Sequence, residues 1–410
     1  MSLLIVASLF LLWNLELIAT LLNLKTFPAT PPKELEGLMD QEKLDKARSY
    51  LSINSRFDII HSAFSLALLL VFWFIGGFPF LDNFARSIAG NEILAGLIFL
   101  SALFVAQNLI SLPFDYYETF VIEEKFGFNK STKALFFADR IKGLALAAIL
   151  GLPLMAGILW IFNEVPNAWL WAWVFVTAFQ LIATYLAPSL ILPLFNKFTP
   201  MPDGELKTDI EALGDKCGFP LQGVFTMDGS KRSTKGNAYF TGFGKFKKIA
   251  LFDTLIDKST PPELLGILAH EIGHFKLGHI KQRLFVGILQ MGLIFFLIGL
   301  AVDPNGAFAR ALHNAFFVGK ISPHTGLVFF TILLEPASKL LSIMANAWSR
   351  KHEFEADAYA SKATGNPEAL ANALRKLTTD HLSHPAPHKL RIILDYSHPP
   401  LLQRLKALLP

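Results

Sequence analysis

Two histidines four residues apart, His270 and His274, flank a glutamate, Glu271, in the run LLGILAHEIGHFKLGHI. On a helix, positions i and i+4 share a face, so both imidazoles can reach one metal ion. Glu271 lies about 100° further round the helix, placed to act as a general base toward water without being a ligand. Two histidines at this spacing can also be ordinary core residues. The local context favours the metal reading. Thr260 can cap a helix, Pro261 suits its first turn, and Glu263 follows the cap by three. The pattern predicts a zinc peptidase site two to three turns into a well-started helix.

A catalytic zinc keeps three protein ligands and an open position. A glycine at 277 and a histidine at 280 would supply one known completion, but Leu277 and Ile280 stand there. His279 follows His270 by nine residues, about 180° round a continuous helix, and is expected to be structural. The remaining candidate is a carboxylate from a second helix, in Ser349-Arg350-Lys351-His352-Glu353-Phe354-Glu355-Ala356-Asp357. Glu353 and Asp357 share a face there. Glu353 would ligate zinc, and Asp357 would accept a hydrogen bond from the far nitrogen of a ligand histidine. The plain alternative is a solvated acidic helix face, which Glu355, pointing away from the other two, fits.

These residues must be held by a strongly apolar chain. Of its 410 residues 52% are hydrophobic and only 17% are charged, against about a quarter in soluble domains. Seven stretches are long enough to cross a bilayer: 2–22, 60–80, 92–113, 143–163, 168–195, 284–302 and 326–346. The first has no basic flank, and Asn14 and Glu16 interrupt it, so it reads as a retained span rather than a signal peptide. Lysines and arginines concentrate in alternate connections, from Lys25 to Arg56 and from Lys125 to Lys142, in the long connection after span five and in the C-terminal region. By the positive-inside rule the N-terminus lies outside or in a lumen, and the C-terminus and metal motif lie in the cytoplasm. The location is then the inner membrane of a bacterium or the endoplasmic reticulum of a eukaryote.

The organisation follows. Residues 1–195 hold spans one to five, 196–283 the first part of a catalytic domain, 284–346 spans six and seven, and 347–410 the second part. Short strands are expected at 223–227, 238–242 and 248–252, forming a small antiparallel ribbon whose exposed edge could hold an extended peptide. Glu16, Gln107, Asn108, Gln180, Glu335 and Lys339 place polar groups in or near the spans, where Glu335 and Lys339 can pair on one helix face. His381, His384 and His388 read as loop. The single cysteine, Cys217, excludes an intramolecular disulfide or a thiolate zinc cluster. The net charge of +4 suits loops near anionic lipid and is no nucleic-acid signature.

HEIGHFKLGH, SRKHEFEADAYA, GNAYFTG and YSHPPLLQRL, in that order and with seven spans, resemble the type I CAAX prenyl protease family across nearly the whole chain. The resemblance implies a multi-spanning α-helical membrane protein whose seven helices enclose a chamber. A split α+β, gluzincin-like zinc peptidase domain closes its cytoplasmic end. It implies His270, His274 and Glu353 as ligands of one catalytic Zn2+, Glu271 as general base, and Asp357 beside a ligand. It implies Asn237 and Ala238 as the edge that aligns substrate, and His398 and Arg404 near the scissile bond, stabilising the oxyanion. From the residues alone, His398 could equally be a loop histidine and Arg404 a surface charge. The implied activity is a metalloendopeptidase in which an activated water cuts a peptide or protein substrate, removing three residues after a prenylated cysteine.

Three other readings compete. A membrane quality-control zinc protease would act on substrates without a lipid, but that type has fewer spans and lacks the SHPPL segment. An intramembrane protease of the site-two type is suggested by Asp303-Pro304-Asn305-Gly306, yet a continuous span six would put Asp303 about 40 Å from His274. A channel or transporter would carry a structural metal, which four protein ligands close, whereas three ligands plus a base are on offer here.

Overall fold

The computed structural model describes residues 1–219, 221–241 and 247–409. The chain opens with helices α1 (Ser2–Lys25), α2 (Gln41–Phe74), α3 (Gly77–Ile88), α4 (Glu92–Tyr117), α5 (Lys133–Glu164), α6 (Ala168–Leu186) and α7 (Leu192–Phe195). Strand β1 (Phe198–Pro200), α8 (Glu205–Lys216), β2 (Leu221–Met227), β3 (Ala238–Thr241), β4 (Lys247–Phe252) and α9 (Asp253–Ile256) follow. Then come α10 (Pro261–Lys276), α11 (His279–Val302), α12 (Ala307–Ala315), α13 (Pro323–Thr364), α14 (Pro367–Asp380), α15 (Lys389–Asp395) and α16 (Leu401–Leu408).

Among the described residues, seven helical stretches are long and apolar enough to span a membrane: 2–25, 41–74, 92–123, 133–164, 168–195, 279–302 and 323–364. Each contains or overlaps one of the seven expected runs. Local chemistry starts several of them. The Asp40 carboxylate accepts from Lys43 N at 2.8 Å, Asn91 Oδ1 from Leu94 N at 2.9 Å, and Thr132 Oγ1 from Leu135 N at 3.1 Å. The last stretch is the most consequential. At 42 residues α13 is about 63 Å long, twice the hydrocarbon thickness. The seventh span and the segment bearing Glu353 are therefore one continuous rod, with no break near residue 346.

Two apolar cores lie at opposite ends of the spans. Ile5, Trp73, Phe78, Phe99, Phe316 and Phe329 belong to the first. Trp73 stacks on Phe316 at 4.1 Å, and Phe316 on Phe329 at 4.2 Å. The second gathers Phe27 and Leu44 with the sheet and α10, α14 and α16. Between them is a cavity of about 1040 Å³, lined by Glu16, Asn54, Asp58, Gln107, Glu335 and Lys339 among others. Polar residues of the spans thus face an interior space. The expected Glu335–Lys339 pair does not form. Lys339 Nζ instead bonds Asp395 Oδ1 of α15 at 2.6 Å and pairs with Glu16 of α1, which Arg391 also reaches at 3.1 Å. A neighbouring helix offered a carboxylate, and the i,i+4 arithmetic could not see it.

The strands also differ from the expected antiparallel ribbon. They form a mixed sheet in the order β1-β2-β4-β3. β4 inserts between β2 and β3, antiparallel to β3 (Ala238↔Leu251) and parallel to β2 (Val224↔Ile249). β2, β3 and β4 alternate in direction, and sequence order does not show which pair become neighbours. β1, three residues ending in proline, carries no readable strand pattern. The expected strand end at Gly242 lies outside the described residues. Residues 381–388 form turns and coil, with His388 Nδ1 accepting from Leu390 N at the start of α15.

Candidate metal centre

Helix α10 begins as the sequence suggests. Thr260 N donates to Glu263 Oε2 at 2.7 Å, the reach-back half of a capping box, and Pro261 and Pro262 fill the first turn. Leu264, Leu268 and Ile272 bury one face in the second core. The opposite approach, to α13, is set by Gly273. A Cβ there would lie 3.2 Å from both Ala356 Cα and Ala356 O, so only glycine lets the two backbones pass this closely. That crossing brings Glu353 against the histidine pair.

Donor atoms of the three side chains converge as a triangle of residues, with the Glu353 carboxylate straddling the two imidazole nitrogens. His270 Nε2 and His274 Nε2 are 3.2 Å apart, Glu353 Oε2 is 3.3 Å from the first, and Glu353 Oε1 is 3.2 Å from the second. Tetrahedral zinc with ligands at 2.0–2.1 Å has edges of roughly 3.3 Å, and each of these nitrogen–nitrogen and nitrogen–oxygen contacts matches that spacing. Glu353 Oε2 is buried and accepts no hydrogen bond, and the side chain is 2% exposed. A buried carboxylate oxygen without a hydrogen-bond donor suits a bound cation, which the two facing nitrogens are placed to share as ligands.

Behind the triangle, Asp357 Oδ1 lies 2.8 Å from His270 Nδ1. Arg404 clamps Asp357 with two bonds, Nε to Oδ2 at 2.8 Å and Nη2 to Oδ1 at 2.6 Å. Burial alone would pull the His270 imidazolium down, but the Asp357 and Glu353 carboxylates outweigh it and hold the metal-free ring at about 9. Burial likewise works against the Arg404 guanidinium, and Asp357 reverses this and raises it.

In front is a cavity of about 280 Å³ lined by Tyr239, Phe240, Glu271, Arg283 and His398 together with the three donors. Burial raises the Glu271 carboxyl, and the two histidines partly offset it. His398 Nε2 is 3.5 Å from Glu353 Oε1, and its Nδ1 lies 2.9 Å from Ser397 Oγ. With the serine hydroxyl donating to Nδ1, Nε2 carries the proton and faces the cavity. Burial lowers the His398 ring, opposed by Glu353, which favours this neutral form. β3 lies at one edge of the sheet. Ala238 pairs inward with Leu251, and Asn237 O accepts from Phe252 N at 3.0 Å.

The structure places Arg404 against Asp357. It is 8% exposed, behind the donor triangle, with Nη1 3.8 Å from Glu353 Oε2. His279 does not point away from the histidine pair as expected. Its Nδ1 is 3.0 Å from His274 Nδ1. The 180° estimate assumed one continuous helix, but α10 ends at Lys276 and Gly278, at φ +75°, turns the chain into α11. Glu355, read as solvated, bonds His279 Nε2 at 3.0 Å. The signal for both residues was Gly278 itself, a helix stop after the motif.

Comparison with known proteins agrees with this architecture. Residues 20–197 match the family described as CAAX prenyl protease N-terminal, five membrane helices, and residues 200–410 match Peptidase family M48. CAAX prenyl protease 1 of Saccharomyces cerevisiae is 38% identical, over 92% of this chain and 88% of the yeast protein. The CAAX prenyl protease 1 homolog of Homo sapiens is 34% identical, over 94% of this chain and 89% of its own length. The crystal structure of S. mikatae Ste24p superposes with a TM-score of 0.93 at 37% identity, covering 100% of this chain and 99% of that one.

Proposed function

The chain belongs to Peptidase family M48 together with the CAAX prenyl proteases, and from that membership we propose that its metal centre cuts prenylated substrates near their C-terminus. It is an integral multi-pass membrane zinc metalloendopeptidase acting on peptide or protein substrates beside lipid. The observation that carries the proposal is the convergence of two imidazole nitrogens and the Glu353 carboxylate at 3.2–3.3 Å, facing one cavity with a buried carboxylate and an edge strand. His270, His274 and Glu353 would hold one zinc. Bound zinc supplies a Lewis acid that polarises the scissile carbonyl and acidifies the attacking water.

The protein's own groups do the rest. β3, at Asn237 and Ala238, aligns the substrate backbone by strand addition. Glu271, with its raised pKa, takes the proton of the attacking water and passes it to the leaving amine. His398 donates Nε2–H to the developing oxyanion. Asp357 orients His270, and Arg404 secures Asp357 and the charge of Glu353, rather than touching substrate. The domain is contributed by 196–283 and 347–410, on either side of spans six and seven. The distribution of basic loops supports a cytoplasmic catalytic face with the N-terminus outside or in the lumen, in the endoplasmic reticulum of a eukaryote or the inner membrane of a bacterium.

The test incubates wild type and Glu271→Ala with matched prenylated and unprenylated peptides and reads product masses. Loss of a C-terminal tripeptide from the prenylated peptide, abolished in the variant with zinc retained, is the expected result. Equal cleavage of both peptides would support a quality-control protease instead, and cleavage by the variant would refute the peptidase mechanism.

A further inference from the structure

A metal-binding imidazole uses one nitrogen for the ion and is oriented through the other. For His270 the second partner is Asp357. For His274, Nε2 faces the donor triangle, and Nδ1 lies 3.0 Å from His279 Nδ1. His279 Nε2 in turn lies 3.0 Å from Glu355 Oε2. One proton assignment satisfies every contact with neutral rings. The ligand nitrogen must be bare, so His274 carries its proton on Nδ1 and donates to His279 Nδ1. His279 then carries its proton on Nε2 and donates to the Glu355 carboxylate.

The ring that passes this contact on is rigidly held. His279 is 2% exposed and stacks on His352 with centroids 3.9 Å apart and planes 5° from parallel. Trp348 backs His352 at 4.7 Å. The same stack argues against a second ion held by His279, His352 and Glu355, although their donor atoms lie close together. Nitrogen lone pairs lie in the ring plane, and two parallel rings cannot aim them at one point.

We propose that His279 and Glu355 are positioning residues for the metal centre, fixing the tautomer and ring orientation of His274 as Asp357 does for His270. The proposal rests on the metal-centre reading above. It gives the two ligand histidines unlike support. Asp357 contacts its histidine directly, is 1% exposed and is clamped by Arg404. Glu355 acts through an intervening ring and has a side chain 42% exposed, with Lys351 3.8 Å away. Span six thereby contributes to the centre from its first residue, since His279 opens α11.

The test measures zinc affinity of full-length, chelator-stripped protein against a competing indicator, and records the visible spectrum after cobalt substitution. His279→Ala should weaken zinc binding about 10–100-fold and shift the cobalt bands. His279→Asn, which restores an acceptor facing His274, should recover part of the loss. Glu355→Gln removes a charge at an exposed site that folding tolerates, and should weaken binding by a smaller factor. The double variant His279→Ala/Glu355→Gln should be no worse than His279→Ala, because the two act in series. Should His279→Ala not fold, Glu355→Gln decides alone. Variants that bind zinc as wild type does, with an unchanged cobalt spectrum, would overturn the proposal. A wild type that takes up no zinc would instead overturn the metal-centre reading.

Discussion

Replacing Gly273 with alanine tests whether the α10–α13 crossing builds the centre. The added Cβ would sit 3.2 Å from Ala356 Cα, Ala356 O and Tyr359 Cβ. Carbon atoms rest at about 3.5–4.0 Å, so the helices must part by roughly 0.3–0.8 Å. Two of the three neighbours are backbone atoms, which no rotamer change relieves. Glu353 lies one turn before Ala356 on α13 and moves with it, while metal–ligand distances tolerate only about 0.2 Å. Overpacking of this kind costs about 1–3 kcal/mol. Charged wholly to the bound state, that weakens zinc about 5–150-fold at 1.4 kcal/mol per decade. The metal-free protein, where the helices are free to part, then carries no such cost and gains at most about 1 kcal/mol from alanine's better helix propensity, so its melting should not fall. Zinc competition and thermal melting on chelator-stripped protein read both effects. Gly287→Ala is the control, because nothing lies within 4 Å of its added Cβ. If Gly273→Ala binds zinc as tightly as this control, the crossing does not set the ligand geometry.

Zinc binding should release a proton from His270. Its metal-free ring is raised from 6.5 to about 9, so it is charged at neutral pH and must lose that proton to ligate. Affinity should therefore climb about tenfold per pH unit through the neutral range and level off above 9; a flat profile between 7 and 9 would show the ring already neutral. By the same linkage, the proton stabilises the metal-free fold fully below 6.5, and that contribution is lost as pH rises through 9. Arg404→Gln removes both bonds that clamp the buried Asp357 and, in the zinc-loaded protein where His270 is neutral, leaves it without a cation, which should cost about 3–5 kcal/mol, read as a lowered melting midpoint. An unchanged midpoint would mean that Asp357 is not held by Arg404.

Much of the site was legible because it is local. His270, Glu271 and His274 follow from the helical period, and Asp357 from the same period on a second helix carrying Glu353. Arg404 was legible as a site residue only through resemblance. Its place behind Asp357 was not, because α16 reaches it from 47 residues beyond Asp357. The contacts of His279 with His274 and Glu355 were not legible for one reason. Angular arithmetic holds only within a helix, and Gly278 ends one helix and starts another.

By itself the sequence determined which segments are apolar enough to enter lipid, since that depends on the length and composition of each run alone. It also determined the metal motif and the cap that starts its helix, both set within a few turns. Tertiary structure alone decided which strand lies beside which, which carboxylate takes Lys339, and how near α13 comes to α10. Those outcomes depend on distances between segments far apart in the chain. The donor triangle belongs to both: two corners are written four residues apart, and the third arrives because Gly273 has no side chain to keep α13 away.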